Sequence, residues 1–390
     1  MTTHGDKKRA LVIGTMDTKQ EEIRYLCSRL EELGLGAEIV DSTPAQWMTL
    51  EEGRSSRDEV MRLAAARIAE HVQALAAQGQ ADGVVAIGGA SGAALAAPAL
   101  QSLPLGFPKV LVSPVASGDT APYVDTSDVV LIPPIVDFVG LNAYAQRALD
   151  SAAVTLAALI ERYQPYPDAG ASTLAATAFG VTSPLVSLLH ERLKAEGLRQ
   201  AVFVCNGTGG RAYERFVAEG RVFGAFDVTT SELADELFGG VLSAGPARLT
   251  TAARLGVPQV VLPGAMDFIN FGPVETVPEV FRDRPIIRHT PQVTLVRTSP
   301  EENERLAQTM AQRLRAGGGS LTIVVPLRGF SKVSEPGRPF YDPKADRAFL
   351  DTLVRELGSD PIITVDAPLN SDEVAAAVLK ASEPWRRARR

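Results

Sequence analysis

The chain has 390 residues, of which 45% are hydrophobic and 22% charged, with a formal net charge of −7. That length exceeds what one hydrophobic core ordinarily supports, so two α/β domains are expected, each able to fold without disulfide or metal staples. The acidic balance argues against general nucleic-acid binding, no apolar stretch approaches the roughly 20 residues of a membrane span, and two cysteines are too few for a disulfide framework or a Cys-based zinc site.

From the N-terminus, MTTHGDKKRA has no apolar leader, which with the cysteine usage predicts a cytoplasmic protein. Strand-like runs near 9–14, 36–41, 83–88, 108–113 and 128–132 then alternate with helix-like runs near 18–33, 56–78, 91–101 and 138–163. Segment 164–172, QPYPDAGAS, breaks both periods and reads as a linker, giving domains 1–168 and 169–390. A second cycle follows, with strands near 174–179, 201–205, 223–228, 259–262, 293–298, 321–326 and 361–365. Its helices fall near 184–196, 210–219, 231–237, 246–255, 300–315, 344–357 and 371–382. Stretches 263–290 and 327–343 read as long irregular loops, of the kind that carry function. The basic tail Trp385–Arg390 reads as a loose, solvated terminus. This pattern predicts two Rossmann-like three-layer α/β domains with mainly parallel sheets and an interdomain ligand cleft.

In such folds the loops that follow strands carry the ligand. The first, Gly14-Thr15-Met16-Asp17-Thr18-Lys19, offers a backbone anion nest, hydroxyls, a carboxylate for metal or base, and an ammonium, without the spacing of a P-loop. Asp17 and Thr18 serve equally well as plain helix caps. Gly88, Gly89, Ser91 and Gly92 open a small-residue helix and suit either phosphate approach or tight packing. Ser117, Gly118, Asp119 and Thr120 form a hydroxyl-rich turn in which Asp119 is a candidate metal ligand or base.

The second half holds the densest signal, VFVCNGTGGRAYE, where an apolar run empties into Asn206, Gly207, Thr208, Gly209, Gly210 and Arg211 and then a helix. Glycines and free helix-start N–H groups predict an anion site there, with Arg211 adding a guanidinium. Cys205 reads as a buried structural thiol, because no base is identifiable beside it. Thr229 and Thr230 follow the next strand, Gly264, Asp267 and Asn270 the one after, and Arg328 sits where it can meet an anion. Among four histidines only His289 has an irregular context, as a candidate acid/base against the commoner structural role. There is neither a His/Cys cluster at zinc spacing nor a G-x-S-x-G elbow.

Stretches VIGTMDTKQEEI, VVAIGGASGAALA, VASGDTAPYV, CNGTGGRAYE, FDVTTSELADELFGG, LSAGPARL, VLPGAMDFINFGP, RHTPQVTLVRTSPEEN and VPLRGFSKVSEPGRPFYDP together resemble a little-characterised family. Its bacterial and fungal proteins are similar to the ATP-binding N-terminal region of the plant tomato mosaic virus resistance protein. The resemblance spans nearly the whole chain. It implies two Rossmann-like domains, ATP binding and self-association; the plant region also binds a viral replication protein and inhibits RNA replication. Plant members are fused to a barrel domain that this sequence does not include. The chain departs from the family pattern at Gly89-Ala90-Ser91-Gly92-Ala93, where alanines replace expected glycines, and at Pro368-Leu369-Asn370-Ser371-Asp372, where a histidine is missing.

The resulting expectation is a homodimeric ATP-binding protein using Mg²⁺, an ATP-dependent transferase or ligase acting on a small carboxylate or sugar-like metabolite. In it Asp17, Asp119 and Asp267 are the candidates for holding metal or moving protons, and His289 is a candidate acid/base. No set of metal ligands can be read from the sequence. Two rivals stand beside this reading: a nucleotide-regulated module that binds a protein partner without turnover, and an enzyme using a sugar nucleotide.

Overall fold

The structure is a computed structural model that describes residues 7–49, 51–52, 55–163, 173–315, 317–358 and 361–388. The chain divides into two compact units, residues 1–167 and 168–390. The linker read at 164–172, His4 and the end of the basic tail lie outside the described residues.

In the first unit five parallel strands stand in the order β2-β1-β3-β4-β5. They are β1 (Arg9–Gly14), β2 (Gly36–Asp41), β3 (Gly83–Ile87), β4 (Lys109–Val112) and β5 (Val130–Ile132). Parallel central strands are covered on both faces, and β3 and β4 are accordingly apolar runs buried at every residue. Alternation divides their side chains. Val12, Val85 and Val110 pack under α1 (Met16–Glu32) and α5 (Ala143–Arg162), whereas Leu11, Val84 and Leu111 pack under α2 (Arg57–Ala77) and α3 (Ala90–Ser102). A short α4 (Ala121–Val124) follows β4.

The second unit has a six-stranded parallel sheet in the order β14-β13-β9-β8-β6-β7. Its strands are β6 (Thr173–Ala178), β7 (Arg199–Val204), β8 (Gly224–Thr229), β9 (Gln259–Gly264), β13 (Leu321–Pro326) and β14 (Ile362–Val365). On one face lie α6 (Ser183–Ala195) and α12 (Asp372–Arg387). On the other are α7 (Thr208–Ala218), α8 (Glu232–Phe238), α9 (Thr251–Leu255), α10 (Pro300–Leu314) and α11 (Pro343–Leu357). Local signals set the ends of these helices. Ser299 and Glu302 form a reciprocal capping box at α10, and Asp342 caps α11 ahead of Pro343.

One expectation fails here. Segment 263–290, read as irregular, carries β10 (Phe268–Phe271) and β11 (Ile286–Thr290), which pair antiparallel with β12 (Val293–Arg297) in a separate three-stranded sheet, order β10-β12-β11. Both strands are short, and β11 carries an irregular register, so neither leaves a clear alternation in sequence. Segment 327–342 is irregular as expected.

Candidate functional site

Strand order reverses beside β1 in the first unit, since β1 lies between β2 and β3. That reversal is the topological switch point of a flavodoxin-like sheet, and it sets the loops after β1 and β3 side by side at the carboxyl edge. Gly14 lies close against the Ile23 side chain, since a Cβ there would stand 2.7 Å from its Cδ1 and move it. The start of α1 is already served from within: Asp41, at the end of β2, accepts from Met16 N–H at 3.0 Å and from Thr43 N–H and Oγ1 at 2.9 and 2.6 Å. Partial burial would raise the Asp41 carboxyl, but these bonds hold it below its ordinary value. Thr15 and Thr18 pair their hydroxyls at 2.8 Å, Lys19 donates to the Phe138 carbonyl, and Asp17 is exposed.

The start of α3 differs. No side chain caps it, and its N-cap Gly89 has open space where a Cβ would stand. Gly88 approaches Gly92 so closely that a Cβ would fall 2.8 Å from its Cα. Ser91, on the first turn, is exposed. The third loop is internally bonded: Ser117 Oγ donates to the Pro114 carbonyl at 2.8 Å, and Asp119 accepts from Ala121 N–H at 3.1 Å, ahead of α4. Gly118 and Thr120 flank Asp119 there.

The second unit's glycine loop is closed from inside. Gly207, at φ +86°, and Gly210 both direct their N–H groups to Glu232 Oε1, at 2.8 and 3.0 Å. A side-chain carboxylate therefore fills the nest that the sequence offered to a ligand anion. Each glycine has a steric reason: a Cβ on Gly209 would strike the Val204 carbonyl at 1.7 Å, and one on Gly210 the Glu232 carboxylate at 2.0 Å. Asn206 accepts from Gly209 N–H, and Thr208 accepts from Arg211.

Behind the loop lies Arg248, fully buried. It donates to Glu232 at 2.7 Å, to both Asp227 oxygens at 2.6 Å, to the Thr229 carbonyl at 2.8 Å and to Glu214 at 3.4 Å. Three carboxylates around one guanidinium leave an acidic excess, and burial raises the Glu214 carboxyl despite Arg248 and two backbone donors. Cys205, also fully buried, donates to the Thr229 carbonyl at 3.2 Å, and burial pushes its thiol well above the ordinary value. This is a structural thiol rather than a nucleophile.

Most other candidates in this unit are buried and engaged within the protein. Thr229 bonds Thr182 at 2.7 Å, Thr230 donates to the Leu262 carbonyl at 2.9 Å, and Asn270 donates to Asp235 at 3.0 Å. Gly264 lies so close to the Val228 carbonyl that a Cβ would meet it at 2.0 Å. Asp267 accepts from Ser331 at 2.6 Å, and burial raises its carboxyl. Arg328 is exposed and paired with Asp366 at 2.8 Å, and His289 is exposed on β11, in the antiparallel sheet. Among the described residues no group of three or more His, Cys, Asp or Glu is placed to hold a metal ion, and no helix is long and apolar enough to cross a membrane.

Sequence reasoning missed Asp41, Asp227, Glu232 and Arg248. For Asp227 and Glu232 the available signal was the acidic run FDVTTSELADELFGG, which holds Asp227, Glu232, Asp235 and Glu236 among apolar and hydroxyl residues.

Comparison with known proteins gives a consistent family. Models of the N-terminal and C-terminal domains of the uncharacterised protein family UPF0261 match residues 8–165 and 171–385. A UPF0261 protein of Clostridium tetani is 35% identical over 96% of this chain and 98% of its own length. One of Rhizobium meliloti is 37% identical, with the same coverage of 96% and 98%. The ToMV resistance protein Tm-1(GCR237) of Solanum lycopersicum is 34% identical over 91% of this chain, which spans 52% of that longer protein. Among solved structures, UDP-N-acetylglucosamine 2-epimerase from Rickettsia bellii aligns at TM-score 0.23 and 11% identity over 65% of this chain and 78% of its own, too faint to bear on a ligand.

Proposed function

This chain belongs to the uncharacterised protein family UPF0261, and from that premise we propose that it is a nucleotide-binding protein whose first unit receives the phosphates. The observation carrying this reading is the contrast between two glycine-rich helix starts. That of α7 is filled by Glu232, whereas that of α3 stands uncapped at a switch point of strand order. Free N–H groups and the positive end of a helix dipole suit a phosphate there. ATP is the nucleotide implied by the sequence resemblance, and when bound it would supply an activated phosphoryl or nucleotidyl group.

Gly89 leaves open space for the ligand at the helix start, Gly88 and Gly92 let strand and helix close on one another beneath it, and Ser91 adds a hydroxyl donor. Thr15, Asp17 and Thr18 line the neighbouring loop, with Asp17 available to a phosphate-bound Mg²⁺ through solvent. Lys19 neutralises charge only after leaving the Phe138 carbonyl. The proposed reaction is transfer to, or ligation of, a small carboxylate or sugar-like metabolite, in a cytoplasmic homodimer. Titration calorimetry of the full chain with ATP, ADP and a sugar nucleotide in the presence of Mg²⁺ tests the binding. Turnover with candidate acids tests the transfer. Absence of binding by every nucleotide removes the reading, and tight binding without turnover replaces the enzyme by a nucleotide-regulated binding module.

A further inference from the structure

We infer that the antiparallel sheet of the second unit carries a separate binding groove for a small carboxylate bearing a hydroxyl or amine donor. The groove encloses about 480 Å³ and is lined by Val274, Glu275, Arg288, His289, Thr290, Pro291 and Thr294. That volume lies in the range of small-molecule sites.

Three consecutive residues of one strand do not ordinarily face one groove, because side chains alternate across a sheet. Arg288, His289 and Thr290 all border the groove here, where the register of β11 against β12 shifts by one residue. Arg288 pairs with Thr294 and Thr290 with Val293, so His289 is an extra residue with no partner across the ladder. Bulges of this kind re-aim side chains and occur preferentially beside functional sites. The preceding residues, Ile286 and Ile287, hold the strand by packing against two different apolar clusters.

The chemistry of the lining selects the ligand. Arg288 and His289 are exposed and line the groove, so their side chains can meet an incoming group. A guanidinium fork with an adjacent imidazole matches a carboxylate. Glu275, carried on the 3₁₀ turn Val274–Thr276, contributes an acceptor that repels a bare anion and favours a ligand with a donor. Thr290 and Thr294 add hydroxyls, and Val274 and Pro291 an apolar border. The groove does not involve the loops after β1 and β3, so it stands or falls separately from the nucleotide reading.

The test titrates the full chain with L-malate, L-aspartate, succinate and inorganic phosphate while following the imidazole proton resonances. With four histidines in the chain, His289→Asn identifies the signal. Malate or aspartate is expected to move the His289 resonance saturably, and Arg288→Ala to weaken binding about tenfold or more. Glu275→Gln is expected to erase the preference over succinate. Because these residues are exposed, the variants should keep the parent thermal midpoint; Arg288→Lys, retaining charge but not the fork, should give an intermediate loss. A His289 resonance indifferent to both acids, equal binding by Arg288→Ala and the parent, or a response to phosphate alone would each overturn the inference.

Discussion

Residue by residue, the second unit's glycine loop is a lesson in who fills a nest. Gly207 and Gly210 were legible as an anion cradle because glycines cluster at a strand-to-helix turn, with Gly207 at φ +86°, but the occupant is Glu232, from the helix after the next strand. The acidic run around Glu232 signalled a polar cluster, but which nest its carboxylate fills is chosen by the fold. Gly210→Ala is expected to destabilise the protein markedly, because its methyl would stand 2.0 Å from the Glu232 carboxylate, and a denaturant midpoint will measure the loss. Arg248→Met should cost about 3–5 kcal/mol by leaving buried carboxylates unpaired; a change near zero would show that these groups are not charged together. Cys205 should resist alkylation in the native protein, since it is buried and its thiol is pushed well up. Thiol counting before and after unfolding checks this, and rapid native labelling of Cys205 would contradict the burial.

Among elements, the strands and helices of the two parallel sheets were readable because buried parallel strands are continuous apolar runs separated by amphipathic segments. Strand order was not readable, and it decides which loops meet at a switch point. The antiparallel sheet was missed because β10 is four residues long and β11 bulges. That sheet is fastened to segment 327–342 and to α11 by buried polar groups: Arg297 donates to the Phe340 carbonyl at 2.8 Å and to Asp346 of α11 at 2.6 Å, and Ser331 donates to Asp267, next to β10. Burial pushes Asp346 up to about 7, against Arg297 and with repulsion from Asp267; burial likewise pushes Asp235 to about 7. A carboxyl raised on folding stabilises in its protonated form, so its contribution is complete below the unfolded pKa of about 4. It is lost as pH rises through about 7. Unfolding midpoints should therefore fall across that window, and Asp346→Asn should flatten part of the fall. A midpoint that rises through the same window would be the opposite sign.

At the scale of the whole molecule, two sheets with the same grammar of strand, glycine loop and helix differ in what their loops do. One loop set, in the second unit, is closed by an internal salt-bridge network; the other, in the first unit, leaves a helix start uncapped. Ala90 follows an N-cap glycine, Gly89, that has open space where a Cβ would stand. The measurement that tests this division most directly is calorimetric titration with Mg·ATP of the parent chain, Ser91→Glu and Arg211→Glu. A carboxylate at the first turn of α3 favours the helix dipole while repelling phosphate. Ser91→Glu is therefore predicted to keep its stability and lose ATP binding, with Arg211→Glu binding as the parent does. Unchanged binding by Ser91→Glu together with loss in Arg211→Glu would contradict the account and return the phosphates to the second unit.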